Sequence, residues 1–192
     1  MPDAQEVLLL RRCQGGDQTA FRDLVERYQR RTYWIAHNLL NSYELAQDVS
    51  QEAFLRVYRH LGDFDLAKNF YTWLYQIVVN LSIDRLRKLA RDRAVDLENL
   101  GGAADEGRGP SERGETSELR TLVHRTLDRL PPKYKAVLVL RDIQGLSCEE
   151  IAEIAGCTNA TVRWRLHRAR RLFKTLWEGR ALGVGGDQAE AV

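Results

Sequence analysis

The sequence predicts an all-α protein: two small helical domains joined by a flexible linker, with a helix-turn-helix in the second. Three observations predict this. Apolar residues recur at alternating three- and four-residue steps in one capped segment after another, the spacing of a single helix face. Residues 92–117, which include VDLENLGGAADEGRGPSERGE, lose that periodicity, gain glycine and turn acidic, as a mobile tether would. The stretch GLSCEEIAEIAGCTNATVRWRLHRARRLFK, residues 145–174, carries two consecutive helix signatures around a glycine. The expected bodies are 1–91 and 118–180, with 92–117 as linker and 181–192 as a frayed tail.

In the first body an amphipathic segment from Ala4 ends at Gly15-Gly16, and Asp17 then caps a long helix. Phe21, Leu24, Val25, Tyr28, Tyr33, Ile35, Ala36 and Leu39 mark its inward face, and Asn41-Ser42 breaks it. The third helix, from about Tyr43 to Leu61, buries Ala46, Val49, Ala53, Phe54 and Val57. Its other side shows Gln47, Asp48, Gln51, Glu52, Arg56 and Arg59, a partly acidic strip that faces water unless a partner covers it. Phe64 follows, stranded in the loop LGDFDLAKN.

The fourth helix, Phe70 to about Arg91, starts aromatic and finishes cationic. Trp73, Leu74, Ile77 and Leu81 are expected in the core, whereas Phe64, Tyr71 and Asn80 are less easily placed there. Asp84, Arg85, Arg87, Lys88 and Arg91 crowd the far end. Rings beside cations are what unpaired bases require, since every base can stack and its phosphate needs a positive neighbour.

In the second body Leu119, Leu122, Val123 and Leu127 share one face, and LPPKYKAVLVLRD supplies a helix opened by proline with Tyr134, Val137, Leu138 and Leu140 inward. Ser147 caps the next helix, Glu150 stands where a capping box places it, and Ile151, Ala152, Ile154 and Ala155 form the apolar side. Gly156 turns the chain and Thr158 caps the last helix. There Val162, Leu166, Ala169, Phe173 and Leu176 are the buried stripe. Trp164 and Arg168 stand two positions after stripe residues, about 200° round, and so point outward. Arg163, Arg165, His167, Arg170 and Arg171 fill the flanks. A basic second helix in a capped pair is the arrangement that enters the DNA major groove, where arginine grips guanine and an apolar ring covers a thymine methyl.

Charge is segregated. The chain of 192 residues has a formal net charge of +2, yet residues 119–180 hold 13 basic against 6 acidic side chains, and residues 92–118 hold 3 against 8. The positive excess coincides with the helix pair and favours a polyanionic partner. Cys13, Cys148 and Cys157, with His37, His60, His124 and His167, are too scattered for a disulfide framework or a metal site, so no metal and no cofactor is expected. The N-terminal residues show no signal-peptide core and no apolar run approaches a membrane span, which makes a reducing cytoplasm the expected compartment.

The order ELAQDVSQEAFLRVYRHL, FYTWLYQIVVNLSIDRLRK, LPPKYKAVLVLRDIQGLSCEEIAEIAGCTNATVRWRLHRARRLF resembles bacterial extracytoplasmic-function (ECF) sigma factors of RNA polymerase, over roughly residues 5 to 178. The resemblance implies an alternative sigma factor without bond chemistry, controlled by an anti-sigma partner. It implies that Asp48, Gln51, Glu52 and Leu55 dock on the clamp helices of core RNA polymerase. Phe64, Tyr71 and Asn80 would meet flipped or unstacked bases of the melted minus-ten element, with Arg85, Lys88 and Arg91 on nearby promoter phosphates. Arg163, Trp164, His167, Arg168 and Arg171 would read the minus-thirty-five element, with Thr158, Asn159 and Thr161 positioning phosphates. Trp164 and Val78-Val79 depart from the residues usual in the family at those places.

Two other classes compete. A helix-turn-helix regulator of duplex operator DNA accounts for residues 119–180 equally well, but it leaves the aromatic-to-cationic helix and the acidic strip unexplained. An enzyme would need a glycine-rich phosphate loop, a nucleophile elbow or a clustered ligand set, and the sequence offers none of these.

Overall fold

The computed structural model describes residues 3–100 and 115–181, and among them every regular element is helical. The first body holds α1 (Ala4–Gln14), α2 (Gln18–Leu40), α3 (Tyr43–His60) and α4 (Phe70–Leu100). The second holds α5 (Glu115–Asp128), α6 (Pro132–Leu138), α7 (Cys148–Ala155) and α8 (Asn159–Ala181). A π-helical turn at Val139–Ile143 extends α6 toward α7.

The helix ends sit where the capping residues put them. Asp17 accepts from the amides of Thr19 at 2.9 Å and Ala20 at 3.0 Å, and Arg12 donates to the same carboxylate at 2.7 Å. These contacts, the Ala20 amide foremost, hold the Asp17 carboxyl below its ordinary range. Asn41 closes α2 in the left-handed region at φ 51, a conformation that asparagine tolerates better than most residues with a Cβ.

In the first body α2 lies against α1, α3 and α4. Leu24, Ile35, Leu39, Val49, Ala53, Val57, Phe70, Leu74 and Val78 are enclosed between them. Phe64 departs from the sequence reading. Rather than standing among polar residues it is buried, stacked on Trp73 at 4.7 Å between ring centroids and edge-on to Phe70 at 5.8 Å. Burying a phenylalanine is worth about 2–3 kcal/mol, so the loop returns this large apolar side chain to the core. Helix α4 also runs to Leu100, past Arg91, because Ala94, Leu97 and Glu98 are helix formers and no glycine intervenes before Gly101. Residues 101–114, most of the expected linker, lie outside the described residues, as does nearly all of the expected tail.

In the second body the run from Tyr134 in α6 to Leu140 in the π turn is buried, with α8 and α4 of the first body both packed on α6. The expected face of α5 is rotated. Leu127 is buried and Leu122 and Val123 are half-buried, but Leu119 is 57% exposed and His124 points inward instead. Ser147 and Glu150 complete the capping box, with amide contacts of 3.1 and 2.6 Å, and Gly156 takes a left-handed φ of 59. A side chain at Gly156 would be strained by that conformation alone.

The two bodies are docked, which no local pattern predicts. Helix α4 packs on α7 and α6, and α2 meets the π turn. Lys135, 1% exposed, donates its ammonium to the Leu39 carbonyl at the end of α2 and to Asp128 Oδ1 at 2.6 Å. Asn41 donates to the other oxygen of Asp128 at 2.9 Å. A cation suits a helix C-terminus, whose last carbonyls lack partners within the helix. Desolvation nevertheless pulls the Lys135 ammonium below its ordinary pKa, with Asp128 opposing.

Candidate nucleic-acid interface

Helix α8 presents its cations as a face held by the stripe beneath it. Val162, Leu166 and Ala169 are buried, and Phe173 and Leu176 pack at the margin. Arg163, Trp164, His167, Arg168 and Arg171 are all exposed. Trp164 is 59% exposed, with its ring 6.2 Å from that of Tyr134, so it rests on the surface without entering the core. Arg163, His167 and Arg171 line one cleft together with Arg141 and Lys174, two cations that the sequence reading passed over. Lys174 lies three positions after Arg171, one further step of the same helical stripe, and was legible on that ground. Arg141 comes from the π turn and could be placed there only by the fold.

Arg170 has a structural task. It grips both oxygens of Asp142, at 3.2 and 2.6 Å, and ties the π turn to α8. At the head of α8 the Thr158 hydroxyl accepts the Thr161 amide at 3.2 Å, and the two threonine hydroxyls lie 2.9 Å apart. Asn159 is tied back to α7, donating to Glu149 at 2.6 Å. The backbone amide of Glu149, then Asn159, keep that carboxyl below its ordinary range, so a carboxylate stands beside the amino end of α8.

On α4 the expected base-facing residues do not share a surface. Tyr71 and Asn80 are nine positions apart, about 180° round the helix. Tyr71 faces the second body, is half-buried, and donates its hydroxyl to Glu150 at 2.8 Å. Desolvation first, and that contact second, push the phenol above its ordinary pKa. Asn80 is exposed on the opposite side, the side of Trp73, which is half-buried with Phe64 stacked behind it. Trp73, expected in the core, packs against it at the margin, half-buried. Arg85 and Lys88 are exposed beyond, whereas Val78 and Val79 are buried and make no surface contact.

On α3, Asp48, Gln51 and Leu55 are exposed and Glu52 is half-buried, its carboxylate accepting from Arg56 at 3.0 Å. Leu55 at 49% and Tyr58 at 60% exposure add an apolar patch to the strip.

The chain matches the family model of sigma-70 region 2 over residues 24–92 and that of sigma-70, region 4 over residues 120–173. It is 40% identical over 171 residues to the ECF RNA polymerase sigma-E factor of Escherichia coli (strain K12), covering 85% of this chain and 89% of that one. The chain belongs to the ECF sigma factors. It is also 35% identical over 173 residues to the ECF RNA polymerase sigma factor SigW of Bacillus subtilis (strain 168), covering 86% and 92% of the two chains. Among solved structures it is similar to that of CnrH in complex with the cytosolic domain of CnrY, at a TM-score of 0.66 and 26% identity over 90% of this chain and 97% of that one. Sigma factors are initiation factors and not enzymes. The half-buried cysteines carry free thiols, and no helix among the described residues is long and apolar enough to cross a membrane.

Proposed function

We infer that this chain is an alternative sigma factor that works in the cytoplasm, binds core RNA polymerase, recognises minus-thirty-five and minus-ten elements and helps to melt the promoter, under the control of an anti-sigma factor. The observation that carries this is the presence, in one chain and in order, of a region 2 body with an aromatic and cationic α4 and a region 4 body with a basic outward α8. An operator-binding regulator needs only the second.

The residues divide the work by chemistry. Arg163, His167, Arg168 and Arg171 face the minus-thirty-five duplex and Trp164 supplies the apolar contact. Thr158, Asn159 and Thr161 position a phosphate at the head of α8, which Asn159 can do once it releases Glu149. Asn80, with Trp73 on its side of α4, takes an unstacked base of the minus-ten strand, while Arg85, Lys88 and Arg91 hold its backbone. Unstacking a base costs a few kcal/mol, offset by the pocket and the cations. Phe64 serves from behind, by fixing the Trp73 ring. Tyr71 is bonded to Glu150, so it becomes available to a base when the two bodies part.

The α3 strip of Asp48, Gln51, Glu52 and Leu55 docks on core polymerase. Asp48→Arg together with Gln51→Ala, both exposed and clear of the core, is expected to abolish capture of core enzyme in a pull-down while leaving the circular dichroism spectrum unchanged. Undiminished capture would refute that assignment.

A further inference from the structure

The seam between the two bodies contains a pair of histidines for which DNA and polymerase binding give no use. His37 on α2 and His124 on α5 meet edge to face, with ring centroids 6.1 Å apart. The Nδ1 atom of each is buried without a hydrogen-bond partner. The charged groups that face them are cationic or, in the case of the carboxylate Asp128, already engaged. On α2, Tyr33 and Trp34 crowd the His37 ring at 5.7 and 5.3 Å. From α5, Arg120 lies over Trp34 at 5.8 Å and repels both imidazoles. From α6, Lys135 repels His124. The one nearby carboxylate, Asp128, is occupied by Lys135 and Asn41.

We propose that His37 and His124 form a proton-operated latch, closed when both rings are neutral and opened when they take up protons, so that acid parts the two bodies. The physical sign is fixed by the surroundings. Burial first, then neighbouring positive groups, depress both imidazoles in the docked form. Once the bodies separate, each ring regains the ordinary value of about 6.5, so the open form binds more protons. Docking strength is therefore fully present above that value and is lost as pH falls through the depressed one. The closed-to-open ratio drops by up to tenfold for each unit of depression, multiplied over the two rings. Parting the seam releases Tyr71 from Glu150 and uncovers α7 where it lies on α4. The latch rests on the docked arrangement and adds a trigger to the function inferred above.

The test is small-angle scattering of the full chain between about pH 7.5 and about pH 5.5, a window in which imidazoles titrate and ordinary carboxylates stay charged. Glu150 stays charged there too, since the Ser147 amide holds it below its usual range. The radius of gyration is expected to rise on acidification with the same midpoint as imidazole protonation followed by proton NMR on the same sample. The His37→Gln, His124→Gln double variant, with helicity checked by circular dichroism, is expected to keep its dimensions across the window. Constant dimensions in the parent chain, separate midpoints for protonation and expansion, or an acid-expanding double variant would each overturn the latch. Because the readout is domain separation and not transcription, these results leave the sigma-factor reading where it stands.

Discussion

Asp128→Ala is expected to destabilise the docked protein by about 2 kcal/mol, read as a lower thermal midpoint. The value sits under the 3–5 kcal/mol typical for breaking a fully buried pair, because the Asp128 side chain is 37% exposed while that of Lys135 is 1% exposed. The loss comes from the ammonium that remains, enclosed between α2 and α6 with the Leu39 carbonyl as its sole partner. Adding Lys135→Met to Asp128→Ala should recover much of the loss, since no enclosed charge then remains and the thioether fills the space of the lysine stem. A cycle in which the two substitutions simply add would mean that the Asp128 and Lys135 charges are not coupled.

Trp164→Ala is expected to reduce discrimination between a specific minus-thirty-five duplex and random DNA by about 1–3 kcal/mol, roughly tenfold to a hundredfold in the binding ratio. Stability should change by less than about 0.5 kcal/mol, because the ring is 59% exposed. Competition binding at fixed salt measures the first quantity and thermal melting the second. A large fall in melting temperature with intact discrimination would place the indole in the core and remove it from the DNA-reading face.

The contrast between these two residues shows what the sequence could reveal. Trp164 was legible because its exposure follows from the register of one helix, set by Thr158 at its head and by Val162, Leu166 and Ala169 beneath. The same local logic located the Ser147 and Glu150 capping box, the Gly156 turn and the Asp17 cap. Lys135 was not legible, since it is enclosed against the end of α2 in the other body, a contact between segments far apart in the chain. His124 and Leu119 exchanged their expected places for the same reason: α5 turns the side bearing His124 toward α2, and no periodicity within α5 encodes that choice. Phe64 was misjudged because its loop neighbours are polar, while the surface that receives it, formed by Phe70 and Trp73, comes from the next helix. Local chemistry therefore fixed the reading face of α8, whereas the split of α4 into a Tyr71 side bonded to the second body and an Asn80 side open to solvent required the fold.

The most direct measurement of the central claim is run-off transcription with core RNA polymerase stripped of other sigma factors, supplied with this chain and a pool of randomised promoters. Initiation from discrete sites that share paired upstream and downstream elements is the expected result. If no template in the pool ever yields a transcript with a defined start, the chain does not confer promoter recognition and the account fails.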